Sequence, residues 1–204
     1  MRRPSLESLI LTHGAGSNRN APILVAIANT FGEAGIHVLR YDLPFRQERP
    51  QGPPRPGDAE RDREGLRSQI HKLRETKPGS LWIGGHSYGG RQASMLAAET
   101  PGLVDGLLLL SYPLHPPKKP EQMRTAHFGK LQTRALFVHG SRDPFGSFEE
   151  FEQALALIPA PTRMLEISGA GHELGRDHTG LAVRILADLR SFNSAGDAKY
   201  ERDS

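Results

Sequence analysis

The chain has 204 residues, enough to enclose one sizeable core and too few for two comfortable domains. It contains no cysteine, which removes disulfides, thiolate metal sites and a cysteine nucleophile together. Its 26 Lys and Arg are interspersed with 23 Asp and Glu for a formal net charge of +3, so it lacks the concentrated basic stripe of a nucleic-acid binder.

The first apolar run, Leu9-Ile10-Leu11, is too short for a signal-peptide core even though Arg2 and Arg3 precede it. It reads instead as a buried strand over residues 8–12, running into the Gly-rich loop His13-Gly14-Ala15-Gly16. Asn20 and Pro22 mark a helix start, Ile23, Leu24, Ile27 and Phe31 recur at helical spacing, and Gly35 marks the end. A second strand follows at residues 37–41. Residues 44–57 carry five prolines and three arginines and read as a loop. Asp58 is placed to cap a helix whose Leu66, Ile70 and Leu73 share a face.

The alternation then repeats. A strand at 81–85 gives way to a helix at about 88–99, and Leu107 to Leu110 form the most apolar run of the chain. Proline-rich sequence at 113–120 separates this run from a strand at 135–138. Ser147 and Glu150 form a capping box for a helix carrying Phe148, Phe151, Leu155 and Ile158. A last strand at 164–167 and a helix bearing Leu181, Ile185 and Leu189 complete the pattern, and residues 194–204 read as a polar tail. Short apolar strands alternating with helices predict an α/β domain over residues 1–204, a mostly parallel sheet of about six strands covered on both faces. No stretch has the length of a membrane span, so a cytoplasmic protein without membrane contact is expected.

Ligands of such sheets bind at the carboxyl ends of the strands. At one of these ends stands Gly85-His86-Ser87-Tyr88-Gly89, the Gly-x-Ser-x-Gly of a nucleophile elbow. A serine hydroxyl needs a base to take its proton, and the base needs a third group to fix its tautomer. The strand at 135–138 is followed by Ser141-Arg142-Asp143-Pro144, and the last strand by Gly171-His172. Both residues fall on the face of the elbow, in the order Ser, Asp, His. His13 is expected to be structural at its strand end, and Asp42 to anchor the loop after its strand. Asp105 precedes its strand and points to the opposite face. The nine histidines form no metal-ligand spacing, and the Gly-rich segments lack a nucleotide fingerprint, so neither metal nor cofactor is expected.

The chain resembles the α/β-hydrolase superfamily over about residues 8–192, and most of all its small dienelactone-hydrolase-like branch, which includes testis-expressed and NSL-complex-subunit-like proteins. The segments that carry the likeness are residues 11–16, the elbow, Ser111-Tyr112-Pro113-Leu114-His115, residues 137–143 and Gly171-His172. The resemblance implies a minimal α/β-hydrolase fold with Ser87 as nucleophile, Asp143 as acid and His172 as base. Dienelactone hydrolases proper use a cysteine nucleophile, so their substrate does not carry over. The antiparallel strands that precede the Gly-rich loop in full-size members have no counterpart in this sequence. The backbone N–H groups of Tyr88 and of the Gly-rich loop, Ala15 first and Gly16 second, are the expected oxyanion hole. Only about twenty residues separate Tyr112 from Arg134, which leaves no room for a lid domain and favours small acyl substrates. The other reading is a non-catalytic interaction module on the same scaffold. Arg46, Arg49, Arg55, Lys118, Lys119 and Arg124 all lie in loops of the catalytic face, and together they predict a positive rim that steers anionic substrates.

Overall fold

Each central strand of the sheet alternates side chains between two apolar layers, which is why most of these strands read as nearly continuous hydrophobics. The structure, a computed structural model, describes residues 6–200, with side chains through residue 194. Its strands are β1 (Ser8–Thr12), β2 (His37–Tyr41), β3 (Leu81–His86), β4 (Gly106–Leu110), β5 (Ala135–Gly140) and β6 (Thr162–Ile167). They form one sheet in the order β2-β1-β3-β4-β5-β6, and every pairing is parallel. The predicted mostly parallel sheet is therefore parallel throughout.

The helices are α1 (Pro22–Glu33), α2 (Pro44–Glu48), α3 (Asp58–Thr76), α4 (Tyr88–Glu99), α5 (Phe148–Leu155) and α6 (His178–Tyr200). Leu9, Leu11, Trp82, Leu108 and Val138 face α1 and α6, packing on Ile27, Phe31, Leu181 and Ile185. Ile10, Ile83, Leu107, Leu109 and Phe137 face α3, α4 and α5, packing on Leu66, Ile70, Leu96 and Phe151. Leu107 to Leu110 have no exposed surface, and burying each contributes about 2 kcal/mol.

Three sequence expectations are corrected. Residues 44–48 are helical rather than loop: Pro44 pre-sets the first turn and Phe45 is wholly buried. Asp58 is the first residue of α3, and Gly57, at φ 90°, occupies the cap position. The Asp58 carboxylate instead accepts from the Arg55 N–H and pairs with Arg49 and Arg61. The expected polar tail is part of α6 as far as Tyr200, and residues 201–204 lie outside the described residues. The capping box on α5 is present, with Ser147 and Glu150 bonded reciprocally.

The strand order reverses beside β1: β2 lies on one side of it and β3, with all later strands, on the other. A crevice opens at such a switch point, where neighbouring loops diverge. Here the diverging loops are the Gly-rich loop after β1 and the elbow after β3. Between β4 and β5 the chain stays against the domain, its one short 3₁₀ turn at Phe128–Lys130, and no lid is formed. Tyr112 Oη donates to the Arg124 carbonyl at 2.7 Å and holds this connection down.

Candidate active site

Ser87 stands between β3 and α4 at φ 51° and ψ −114°, a conformation that ordinary residues avoid at a cost of about 1–3 kcal/mol. It persists because its surroundings over-determine it. Ser87 N–H donates to the Leu110 carbonyl at 2.8 Å, and Gly89 N–H donates to the His13 carbonyl at 3.1 Å. A Cβ on Gly85 would run into the Thr12 carbonyl, and one on Gly89 into the Thr12 hydroxyl, so glycine alone allows this approach.

The hydroxyl so presented meets the two loops predicted to serve it. His172 Nε2 lies 2.9 Å from Ser87 Oγ, and His172 Nδ1 lies 2.8 Å from Asp143 Oδ2. With Nδ1–H donating to the carboxylate, Nε2 is left to accept the serine proton. The Asp143 side chain is fully buried, and its second oxygen accepts the Phe145 N–H at 3.0 Å. Burial alone would raise this carboxyl. The hydrogen bond and charge of His172, the Phe145 N–H and the nearby His139 outweigh burial and hold it below the usual carboxylate value.

The base loop is tied down at its backbone. The His172 carbonyl accepts both His86 Nε2–H at 2.8 Å and Ser111 Oγ–H at 2.7 Å. The Phe145 ring packs on the His172 ring at 4.4 Å between centroids. Arg142 N–H donates to the Ala170 carbonyl at 2.8 Å and joins the acid loop to the base loop. His86, which the elbow pattern leaves variable, is thus a support of His172. Burial, then the charge of His172, holds its imidazole below the ordinary value, which suits a neutral donor.

The Gly-rich loop is supported from beneath. His13 is fully buried and bridges two segments: Nδ1–H donates to the Gly14 carbonyl at 2.9 Å, and Nε2 accepts the Leu43 N–H at 3.1 Å. The Gly14 carbonyl belongs to the peptide that bears the Ala15 N–H, so holding one end aims the other. The Asp42 carboxylate anchors the loop after β1, accepting the Arg19 N–H at 2.6 Å, while its carbonyl accepts from Gln47 Nε2 in the segment after its own strand, as expected.

Arg46 overturns part of the expected positive rim. Its side chain is buried on α2, and its guanidinium donates to the carbonyls of Ser17 at 2.7 Å, Ala15 at 2.8 Å, Gly52 at 3.0 Å and Arg49 at 3.1 Å. Arg49 is spent on Asp58 at 2.6 Å. Arg55, Lys118 and Lys119 are exposed, and Arg124 is half-buried. Two of the six rim cations therefore build loop structure instead. Spacing could not signal this, because an arginine amid prolines reads as a solvated charge until the loop folds over it.

Tyr88, the residue after Ser87, sends its hydroxyl to Asp62 Oδ2 at 2.7 Å, while Asp62 Oδ1 accepts the Phe45 N–H at 3.0 Å. Asp62 has no exposed surface, and burial raises its carboxyl above the ordinary value. This bridge locks α2, α3 and the start of α4 together. No cluster of three metal-ligating side chains occurs among the described residues. Nor is any helix among them long and apolar enough to cross a membrane.

A family model described as an alpha/beta hydrolase domain matches residues 5–182, most of the chain. The protein belongs to the alpha/beta hydrolase family. Similar solved structures include a dienelactone hydrolase from Anabaena variabilis, at 23% identity and a TM-score of 0.71, over 91% of this chain and 86% of that one. An alpha-beta serine hydrolase homologue from Coxiella burnetii aligns at 18% identity and a TM-score of 0.69, over 94% and 88%. Est1E from Butyrivibrio proteoclasticus, with ferulic acid bound, aligns at 15% identity and a TM-score of 0.73, over 95% and 90%. At these identities the neighbours establish a shared fold. The α/β-hydrolase resemblance carried by the motifs is borne out by the family model.

Proposed function

We propose that this alpha/beta hydrolase is a serine hydrolase of small carboxylic esters, working through an acyl-enzyme. The observation that carries the reading is the continuous hydrogen-bonded chain Ser87 Oγ, His172 Nε2, His172 Nδ1, Asp143 Oδ2, with links of 2.9 and 2.8 Å. Ser87 Oγ attacks the ester carbonyl carbon as His172 takes its proton. Asp143 stabilises the imidazolium that forms, and the backbone N–H groups of Tyr88 and Ala15 receive the oxyanion. Collapse of the tetrahedral intermediate returns the His172 proton to the departing alcohol and leaves the acyl group on Ser87. Water, activated by the same imidazole, then releases the acid.

Small substrates are favoured because the β4–β5 connection forms no lid to shelter a long chain. A hydrolysis panel of p-nitrophenyl esters from two to twelve acyl carbons tests this reading. The expected result is turnover that is fastest on the short esters and falls by about 10⁴ in Asp143→Asn, which loses the tautomer but keeps the fold. Equal turnover by wild type and Asp143→Asn would refute it.

A further inference from the structure

On the flank of α4 lies a cavity of about 490 Å³, between that helix and residues 123–130, and its lining includes none of Ser87, Asp143 and His172. Arg91, Met95 and Ala98 supply one wall because residues spaced by three and four share a helix face. Met123, Arg124 and Lys130 supply the other. Met123 is 41% exposed, one of the few large apolar side chains left open to solvent. A volume in this range suits a small organic molecule.

The charge of the cavity is unbalanced. Glu99 is the one acid in its lining, and it is already engaged by Arg63 at 2.9 Å and Arg67 at 4.0 Å. Among the described residues, Arg91, Arg124 and Lys130 form no ion pair. Arg91 Nε is buried without a hydrogen-bond partner, which costs about 1–3 kcal/mol. Arg124 is presented by an anchored backbone, its N–H on the Leu114 carbonyl and its carbonyl on Tyr112 Oη. Burial, then the neighbouring Arg91, holds its guanidinium below the ordinary range. His127 stands between the walls with Nε2 2.9 Å from Ser94 Oγ. Burial, then Arg91 and Arg63, pushes it down to about 4, so it is neutral near pH 7 and leaves three cations without a counter-charge.

We propose that this cavity binds a small amphiphilic anion, its acidic head held by Arg91, Arg124 and Lys130 and its apolar body against Met95, Ala98 and Met123. The fork of an arginine matches the paired oxygens of a carboxylate or a phosphate, and the methionines adapt to an apolar chain of varied shape. The lining contains none of Ser87, Asp143 and His172, and the proposal does not depend on the ester reading.

Calorimetric titration with hexanoate, hexyl phosphate, hexanamide and inorganic phosphate tests it, with the His127 ring signals followed by NMR to locate binding. At least one organic anion is expected to saturate the protein and shift His127, with hexanamide at least about tenfold weaker. Ser87→Ala should bind unchanged. Arg91→Gln and Lys130→Glu should each weaken the anion about tenfold, and exposed Lys130 can be reversed without disturbing the core. A conserved preference between the two organic anions then identifies the head group. The proposal is overturned if neither organic anion saturates, if hexanamide binds as well, if inorganic phosphate alone matches hexyl phosphate, or if Lys130→Glu leaves binding intact.

Discussion

In the proposed mechanism Ser87 contributes a reacting atom rather than packing, so Ser87→Ala is expected to cost about 10⁴-fold or more in hydrolysis while thermal unfolding stays within a few degrees of wild type. His172→Ala should cost a similar amount, and the double variant little more than either, because members of one proton-transfer unit fail together. Additive losses in steady-state kinetics would contradict the assignment. Arg46 makes a different prediction. Its guanidinium holds the Ala15 and Ser17 carbonyls at 2.8 and 2.7 Å, so Arg46→Lys keeps the charge but loses the fork that spans them. The expected outcome is a kcat lowered about tenfold to a hundredfold with KM little changed, read from the same ester series. An unchanged kcat would show that the Ala15 peptide is held in place without it. The three triad candidates were legible in the sequence because order and strand ends place them. Arg46, His86 and Asp62 were not, since each acts through burial and a partner distant in sequence.

The elbow is a contact between two elements as much as a turn within one. Gly89 N–H reaches the His13 carbonyl, and the Thr12 hydroxyl fills the space that a Cβ on Gly89 would need. Gly89→Ala is therefore expected to cost about 3 kcal/mol or more through overpacking of β1 against the start of α4. Denaturant melting against wild type measures that loss, and a change below about 0.5 kcal/mol would contradict the close approach. The four central strands are readable from their apolar runs, because the sheet buries both of their faces, whereas the edge strands β2 and β6 are half-buried and carry polar residues. The short helix α2 was hidden by its surroundings. Four prolines follow it within residues 44–57, and its stability comes from tertiary contacts, burial of Phe45 and the Asp62 bond to the Phe45 N–H.

Across the whole molecule, the buried histidines give folding a pH dependence. His13, His86, His127 and His139 are all lowered, burial being the first cause in each case. The unfolded chain takes up these protons near pH 6.5 and the folded one only at lower pH, so below 6.5 the unfolded state binds more protons and stability falls. The window extends down to about 4 for His127. His115 and Asp62 are raised and act in the opposite sense, but they are two against four. The urea midpoint should therefore fall between pH 7 and pH 5, before ordinary carboxylates titrate, and a midpoint unchanged over that interval would contradict the neutral buried histidines. The central claim, an activated serine in an intact fold, is tested most directly by intact-mass analysis after treatment with a fluorophosphonate. The account predicts a single adduct, mapped to Ser87, absent in Ser87→Ala and formed far more slowly in His172→Ala. A folded wild-type protein that takes up no adduct, or carries it on another serine, would contradict it.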